Sequence, residues 1–227
     1  MKLMSFENKI RIIAAPGPVS YPLLAYKMKN KDIEIYFEKE GSEADAIVDS
    51  TVSLAKRGLR IDYVTVKKVM VISPKLKEGK IGVWRKGSAA DVLTRAVINL
   101  KKLKAELIYK DEWMELFNML KSGQLDVATL AAALGKGDSF EDLLGIPGSC
   151  GIHINSSEER VIDAYKQGIE IAKEDPEGVA SYIVNILPIK ISKEFVIGMF
   201  KNAEYNVWKG GEFKEFYEMV RKYSTST

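Results

Sequence analysis

The segment from Lys80 to Ala133 alternates between short apolar runs and amphipathic stretches, and this alternation limits the possible folds more than any other feature. Its apolar runs IGVW, AELIY and LDVATLAAA predict three buried strands. A stretch with apolar residues at helical spacing follows Ser88, and a second follows Asp111 and ends at Gly123. Strands that alternate with helices in this way are parallel and are joined by right-handed crossovers. The segment therefore predicts an α/β fold with a doubly wound sheet, and such sheets bind ligands beyond the carboxyl ends of their strands.

Capping signals support both helices of this segment. Ser88 is a favourable N-cap, and Asp91 completes a variant of the capping box with Asp in place of Glu. Asp111 is the predicted N-cap of the second helix. Its apolar face begins at Trp113 and includes Leu116.

The first part of the chain predicts a second unit of the same kind. The runs IRIIAA and DIEIYFE predict strands, and between them PGPVSYP predicts a turn into a short helix that is capped by Ser20. A long helix is predicted to start at Gly41 and Ser42, because the residues from Ala44 to Ala55 have apolar positions at helical spacing. The alternative is that DAIVDS forms a strand, but a strand there leaves almost no crossover, so we favour the helix.

The remaining segments predict how the two units are connected. LRIDYVTV predicts a strand after Gly58, VKKVMVISP an additional strand, and SCGIHIN a strand that returns to the first unit. The rest of the chain predicts helices, with a turn at Trp208 and the two glycines after Lys209. We therefore predict two lobes, each a mostly parallel sheet flanked by helices. Residues 1–75 and 150–227 form the first lobe, and residues 76–149 form the second.

Composition and charge exclude several classes of protein. The formal net charge is only +3 and the basic residues are interspersed with acidic ones, so we predict no nucleic-acid partner. A single cysteine excludes an intrachain disulfide, and one cysteine with one histidine cannot form a structural zinc site, so no metal and no cofactor are predicted. Glu7, Lys9 and Arg11 interrupt the apolar run of a signal peptide, and no apolar stretch approaches ~20 residues, so we expect a cytoplasmic protein without a membrane span. Many Lys and Glu with few Gln indicate a thermophilic source.

The order of these segments resembles the type II periplasmic solute-binding-protein superfamily. The resemblance rests on the strand ending in PGPVSYP, on RGLRIDYVTV and SGQLDVATL, on the GVWRKGS loop and on the return strand SCGIHIN. The C-terminal segments DPEGVASYIVNILP and KEFVIGMFKNAEYNVWKGGEF also fit. The chain is most similar to the thiamine-precursor and sulfonate-binding branch and to small archaeal relatives of it. This resemblance implies two lobes with a ligand in the cleft between them.

We therefore expect an intracellular protein that binds a small anionic or polar organic ligand between its lobes. The alternative is an enzyme on the same fold, a lyase or a biosynthetic step. Its models are a chorismate dehydratase of the menaquinone pathway or an enzyme of thiamine-precursor synthesis, although the cysteine-rich iron motif of the latter is missing. The sequence leaves the ligand, the choice between binding protein and enzyme, and the oligomeric state open.

The candidate ligand-binding residues lie in the loops that follow strands, where a ligand meets this kind of fold. Helix N-termini there favour an anion, serine hydroxyls add donors, and an arginine adds positive charge. The candidates are Gly17, Ser20, Tyr21, Ser42, Thr65, Arg85, Gly87, Ser88 and Thr129. Each has an ordinary structural alternative, which for the serines is N-capping.

Four further residues have side chains that could take part in catalysis. Asp62 and Asp126 begin strands, far from the expected cleft, so we predict that they cap backbone N–H groups. His153 could be a general base and Cys150 a nucleophile. We favour a packed histidine near the hinge and a buried, inert cysteine, because the sequence shows no partner base. Whether either has a chemical role stays open.

Overall fold

The structure is a computed structural model that describes residues 8–38 and 43–224. Within these ranges the strands, in chain order, are β1 (Ile10–Ala14), β2 (Ile33–Tyr36), β3 (Ala46–Ser50), β4 (Tyr63–Lys67), β5 (Met70–Ser73), β6 (Gly79–Trp84), β7 (Ala105–Lys110), β8 (Val127–Ala131), β9 (Asp138–Ser139), β10 (Cys150–Ile154) and β11 (Glu204–Lys209). The helices are α1 (Tyr21–Lys29), α2 (Thr51–Lys56), α3 (Ala89–Lys101), α4 (Trp113–Lys121), α5 (Phe140–Leu144), α6 (Glu158–Glu174), α7 (Pro176–Ile186), α8 (Lys193–Asn202) and α9 (Lys214–Ser224).

The strands form two mixed sheets flanked by helices, which confirms the predicted fold class. The first sheet has the order β11-β4-β10-β3-β1-β2, and the second has the order β7-β6-β8-β5-β9. The predicted parallel unit is present in the second sheet, where β6 pairs in parallel with both β7 and β8. In the first sheet β1 pairs in parallel with β2 and β3. The carboxyl ends of these parallel strands define the edge where a ligand is expected.

The predicted return strand is confirmed. β10 lies between β3 and β4 and is antiparallel to both, with His153 opposite Ile47. β5 falls in the range predicted for the first lobe, yet it pairs with β8 and β9 of the second sheet. The chain therefore passes from the first sheet to the second between Lys67 and Met70. The residue bounds of the two lobes stay a prediction.

The helix predicted to start at Gly41 and Ser42 is wrong, and the alternative strand is correct. Residues 46–50 form β3, which lies between β1 and β10, and α2 begins only at Thr51. Ala46 and Val48 are fully buried and alternate with less buried neighbours, which is the period of a strand. Pairing with two strands distant in sequence decides this segment, because its local spacing also fits a helix.

Two smaller predictions are also corrected. The N-cap of α4 is Glu112 rather than Asp111, and no side chain caps that helix end. Trp208 and Lys209 belong to β11 rather than to a turn, and Trp208 lies opposite Val64 in the antiparallel pair with β4. A strand forms here because the free edge of β4 offers unpaired backbone groups to the last extended segment of the chain.

One hydrophobic cluster joins elements of the two sheets. It combines buried residues of α2, β4, β6, α3 and α9, among them Leu54, Val64, Val83, Val97 and Phe216. Full burial of each such side chain contributes roughly 1.5–3 kcal/mol. This cluster fixes α2 next to α3.

The last helix adds two polar anchors to this joint. The Tyr217 hydroxyl donates to the carbonyl of Leu59 at 2.5 Å, just after α2. The Tyr223 hydroxyl donates to Oδ1 of Asn99 in α3 at 2.8 Å. α9 therefore contacts both the end of α2, which follows a strand of the first sheet, and α3, which follows a strand of the second. None of the helices in the described ranges is both long enough and apolar enough to span a bilayer.

Candidate functional site

The turn that follows β1 is held in place by three hydroxyl groups. Three successive carbonyls each accept a hydrogen bond from a hydroxyl group: Ser20 Oγ donates to Gly17 at 2.8 Å, Tyr205 to Pro18 at 3.1 Å and Tyr165 to Val19 at 2.9 Å. The tyrosines come from β11 and α6, so the turn is anchored from two elements distant in sequence. Ser20 precedes α1 as predicted, but its hydroxyl makes no capping bond to that helix.

Two other candidate residues lie behind this turn, in the core. Tyr21 is 1% exposed, and its ring contacts that of Phe200 at a centroid distance of 5.8 Å. Burial raises the pKa of Tyr21, so its hydroxyl stays protonated. Thr65 is fully buried, and its Oγ1 has no hydrogen-bond partner among the described residues. The candidate Ser42 lies outside the described residues.

The loop between β6 and α3 carries three of the candidates. Arg85 and Gly87 both have left-handed backbone conformations, with φ of 40° and 83°. This conformation is costly for most residues but free of strain for glycine. Ser88 caps α3 as predicted and accepts a hydrogen bond from the Asp91 N–H at 3.2 Å. The same Ser88 hydroxyl donates to the carbonyl of Trp84 at 2.6 Å, so both of its roles are internal.

The predicted capping box has a different partner from the one expected. The carboxylate of Asp91 accepts from the N–H of Gly87 at 2.7 Å, one residue before the N-cap. Asp91 is 1% exposed and also accepts from Arg95 Nε at 2.9 Å and the Tyr109 hydroxyl at 2.7 Å. Burial opposes ionisation of Asp91, but hydrogen bonds from Arg95, Gly87 and Tyr109 outweigh it and hold the pKa below its usual value. A carboxylate of the protein therefore occupies the start of α3.

Thr129 lies inside the second sheet rather than at its surface. It is fully buried, and its Oγ1 donates to the carbonyl of Gly82 at 3.2 Å. It also accepts from the N–H of Trp84 at 3.4 Å. These bonds link β8 to β6 and leave the hydroxyl engaged within the sheet.

A stacked pair of tryptophans at the carboxyl edge of the second sheet was not predicted. Trp84 ends β6 and Trp113 begins α4, and their rings stack 4.7 Å apart at 11°. The Trp84 Nε1 donates to the carbonyl of Asp111 at 2.9 Å. Trp113 also packs against buried residues of the main cluster of the first sheet. Each tryptophan closely follows one of two neighbouring parallel strands, and this placement is the sequence signal that could have revealed the pair.

Arg85 lies directly on this pair. Its guanidinium is 4.8 Å above the ring of Trp84, and its side chain is 54% exposed. Its Nε is 4.0 Å from Oδ1 of Asp111, a residue that is itself highly exposed. Arg85 is therefore a positioned cation on an aromatic surface, with most of its hydrogen-bonding capacity directed to solvent.

The junction between β3 and α2 was missed because that strand was predicted as a helix. Asp49 accepts from the N–H of Ser50 and from the Ser53 hydroxyl, both at 2.6 Å. The Thr51 hydroxyl donates to the carbonyl of Gly148 at 2.6 Å. The polar side chains of this junction are therefore engaged in hydrogen bonds within the protein.

The two aspartates at strand beginnings have the predicted structural role. Oδ2 of Asp62 accepts from the N–H of Ile154 at 2.8 Å. Oδ2 of Asp126 accepts from the N–H of Lys80 at 2.8 Å. Each carboxylate therefore ties a neighbouring strand to its own.

Neither His153 nor Cys150 is placed at the carboxyl edge with a free reactive group. Nδ1 of His153 lies 3.1 Å from the carbonyl of Arg60 and 3.4 Å from Oδ2 of Asp62. Cys150 is buried, and burial, with the charges of Asp49 and Glu141 adding to it, raises the pKa of its thiol. The protonated thiol is a weak nucleophile.

A groove of about 450 Å³ lies elsewhere, between α3, the segment after α5 and α9. Its lining combines apolar residues, among them Leu100, Ile146, Phe216 and Met219, with the acidic Glu215 and Glu218. None of the predicted ligand-binding residues within the described ranges lines it.

This architecture defines the class of protein: an α/β protein with the type II periplasmic-binding-protein-like fold. Within this class, the chain belongs to the family described as "Protein of unknown function (DUF3834)", whose model matches residues 1–206. No curated protein matches the chain in sequence.

Solved structures with this fold cover nearly the whole chain. A candidate nitrate transport protein from Thermoplasma volcanium is 23% identical with a TM-score of 0.72, covering 97% of this chain and 92% of its own. An ABC transporter protein from Parabacteroides distasonis is 13% identical with a TM-score of 0.66, covering 95% and 93%. The periplasmic aliphatic sulphonate-binding protein of Escherichia coli is 11% identical with a TM-score of 0.61, covering 96% and 85%. These similarities establish the fold.

Proposed function

We propose that the protein binds a small organic anion in a cleft between the carboxyl edges of its two sheets. The observation that carries this proposal is the Trp84–Trp113 stack with the guanidinium of Arg85 above it. Trp113 is in contact with hydrophobic clusters of both sheets, which is the position expected for the wall of an interlobe cleft.

The chemistry of this surface favours a ligand with an apolar body and an acidic group. Two stacked indole rings offer a rigid apolar surface. Arg85 offers a planar fork of donors that matches a carboxylate or sulfonate. Ligand sites of this kind combine a mostly apolar lining with a few placed polar groups.

The structural neighbours support the same class of ligand. One is named for nitrate transport and another for aliphatic sulphonate binding. Nitrate and sulfonate each have three equivalent oxygen atoms that can accept hydrogen bonds from arginine and from backbone N–H groups. We carry over the class, an oxyanion, and propose that the ligand of this chain is an organic acid.

We also propose that the two lobes close on the ligand. The chain passes between the sheets after β4, where Lys68 has a left-handed backbone, and again between α5 and β10. A few residues that absorb such backbone changes are sufficient for hinge closure. The turn after β1, in which Gly17 and Pro18 are partly exposed, then supplies the wall of the first lobe.

The test is a titration of the purified protein with sodium nitrate and with propane-1-sulfonate. Tryptophan fluorescence is the readout, in a Trp208→Phe background so that only Trp84 and Trp113 report. Native mass spectrometry of the freshly purified protein identifies any acid that co-purifies.

Arg85→Met and Lys86→Met form the matched pair, because each removes one exposed cation from adjacent positions of one loop. We expect saturable quenching by propane-1-sulfonate that Arg85→Met abolishes and Lys86→Met leaves within about twofold. Equal losses in both variants would indicate general charge attraction and contradict the proposed site.

A further inference from the structure

The start of α3 has the features of an anion site, and the protein fills it with its own carboxylate. Helix N-termini bind anions through free N–H groups and the helix dipole. Here the donors that converge on the Asp91 carboxylate come from the loop, the helix and a neighbouring strand. They are Gly87 N at 2.7 Å, Arg95 Nε at 2.9 Å, Arg95 Nη2 at 3.1 Å and the Tyr109 hydroxyl at 2.7 Å.

Positively charged side chains from two helices, which follow strands of different sheets, lie near this carboxylate. Arg95 forms a largely buried ion pair with it, the Asp91 side chain being 1% exposed and that of Arg95 20%. Lys56 of α2 donates from Nζ to the carbonyl of Gly87 at 2.6 Å, and its charge acts on Asp91. Burial and the Asp91 carboxylate raise the pKa of Tyr109 to about 12, so its hydroxyl keeps the proton that it donates.

We propose that Asp91 is a specificity-determining and positioning residue: its carboxylate is the resident anion of the α3 N-terminus and excludes a ligand anion from the Gly87 N–H. The acidic group of the ligand is then left to Arg85, the exposed cation of the same loop that lies over the ring of Trp84. The second statement rests on the proposed function, whereas the first concerns the protein alone.

Two physical effects prevent an external anion from taking this place. Asp91 is tethered to the helix that it caps, so it competes at a high effective concentration. An anion at the Gly87 N–H would also lie within a few ångströms of the buried Asp91 carboxylate, and like charges at that distance repel each other. The result is a loop with a fixed shape, in which Arg85 and Lys86 are the exposed cations.

Chemical rescue tests the first statement without any cleft ligand. Asp91→Ala removes the carboxylate that accepts from the Gly87 N–H, from Arg95 Nε and from the Tyr109 hydroxyl. Formate has the size and charge of the missing group. We expect formate, compared with chloride at equal ionic strength, to raise the melting temperature of Asp91→Ala in a saturable manner.

Asp126→Ala is the matched control, because it removes an exposed carboxylate that also accepts a backbone N–H. Formate should leave its melting temperature, and that of the unchanged protein, at the chloride value. Equal responses of the two variants to formate, or none in either, would overturn the assignment.

Hydrogen exchange keeps the inference testable if Asp91→Ala does not fold. Asp91→Asn preserves the shape of the side chain but removes its charge. We expect the exchange rate of the Gly87 amide to rise by roughly tenfold in this variant, with little change in the core strands. An unchanged rate at Gly87 would mean that the carboxylate does not hold the loop.

The two proposals can fail separately. If neither propane-1-sulfonate nor nitrate binds but formate rescues Asp91→Ala, the ligand proposal fails and the resident anion stands. If propane-1-sulfonate binds the unchanged protein and shifts the Gly87 and Ser88 amide signals more than the Arg85 side chain, the ligand proposal stands. The exclusion by Asp91 is then overturned.

Discussion

Nζ of Lys56 lies 2.6 Å from the carbonyl oxygen of Gly87, and this contact joins the end of α2 to the loop that precedes α3. The two helices follow strands of different sheets. The contact therefore adds a polar link to the hydrophobic cluster that α2, α3 and α9 share. It also fixes the carbonyl of the residue whose N–H is held by Asp91.

Lys56→Met should loosen this loop with little effect on global stability. Lys56 is exposed, and exposed polar contacts contribute little to folding, so we expect a loss below about 1 kcal/mol. Amide hydrogen exchange at residues 86–88 should nevertheless become faster. Lys166→Met, an exposed lysine of α6, is the control and should leave that exchange unchanged. Equal exchange in both variants would show that the contact does not order the loop.

Ser88→Ala should reduce stability more than it reduces ligand affinity. The sequence alone predicts an affinity loss of roughly 1.5–3 kcal/mol for a hydroxyl that binds a charged ligand. In the structure the hydroxyl is engaged with Trp84 and Asp91, so we expect a stability loss of about 1 kcal/mol, typical of an N-cap. Urea unfolding and titration with propane-1-sulfonate measure the two effects. Ser192→Ala, which removes the N-cap of α8, is the control for stability without a binding role.

Stability should depend on Asp91 in acid. Its pKa is lower in the folded protein than the usual value of about 3.9. The ionised form therefore stabilises the fold fully above that usual value, and the stabilisation is lost as the pH falls through the lower folded value. The stability difference between the unchanged protein and Asp91→Asn should thus be constant from pH 7 to pH 5 and shrink below pH 4. Urea midpoints across this range measure it, and a constant difference down to pH 2 would contradict the assignment.

Gly168→Ala should be severely destabilising. A Cβ on Gly168 of α6 would overlap the carbonyl oxygen of Pro22 in α1, and backbone cannot move aside as a flexible side chain can. We expect a loss at or above the upper end of the roughly 1–3 kcal/mol typical of overpacking. Gly17→Ala is the matched control, because its Cβ meets nothing within 4 Å and its φ of −156° suits any residue. Thermal unfolding should show a large shift for the first variant only.

The second sheet could be predicted because its elements differ clearly in period. Helix α3 has a sustained apolar face, its Ser88 cap is a local signal, and the strands beside it are short apolar runs. β3 could not be predicted in the same way. The apolar residues between Ala44 and Ala55, which include this strand, are spaced as a helix requires. The pairing of β3 with β1 and β10 decides for the strand. The pairing with β10 joins residues as far apart in the chain as Ala46 and Ile154.

The candidate site shows the same division between local and long-range information. The cap at Ser88 is encoded within four residues and was correct. The bond from Tyr109 to Asp91 and the stack of Trp84 on Trp113 join elements that meet only in the folded protein. The partners of Thr129 were hidden for the same reason, since a hydroxyl inside a sheet looks like one at its edge until the register is known.

The place of β10 in the first sheet has a consequence for synthesis on the ribosome. β10 separates β3 from β4, yet it follows every strand of the second sheet in the chain. At synthesis rates of about 5–20 residues per second, the second sheet is complete while the first still lacks its central strand and its edge strand β11. For several seconds β3 and β4 therefore present open edges, which are templates for wrong pairing. The sheet that is begun first is finished last, and a nascent chain stalled before Cys150 should be a preferred client of chaperones that shield exposed strands.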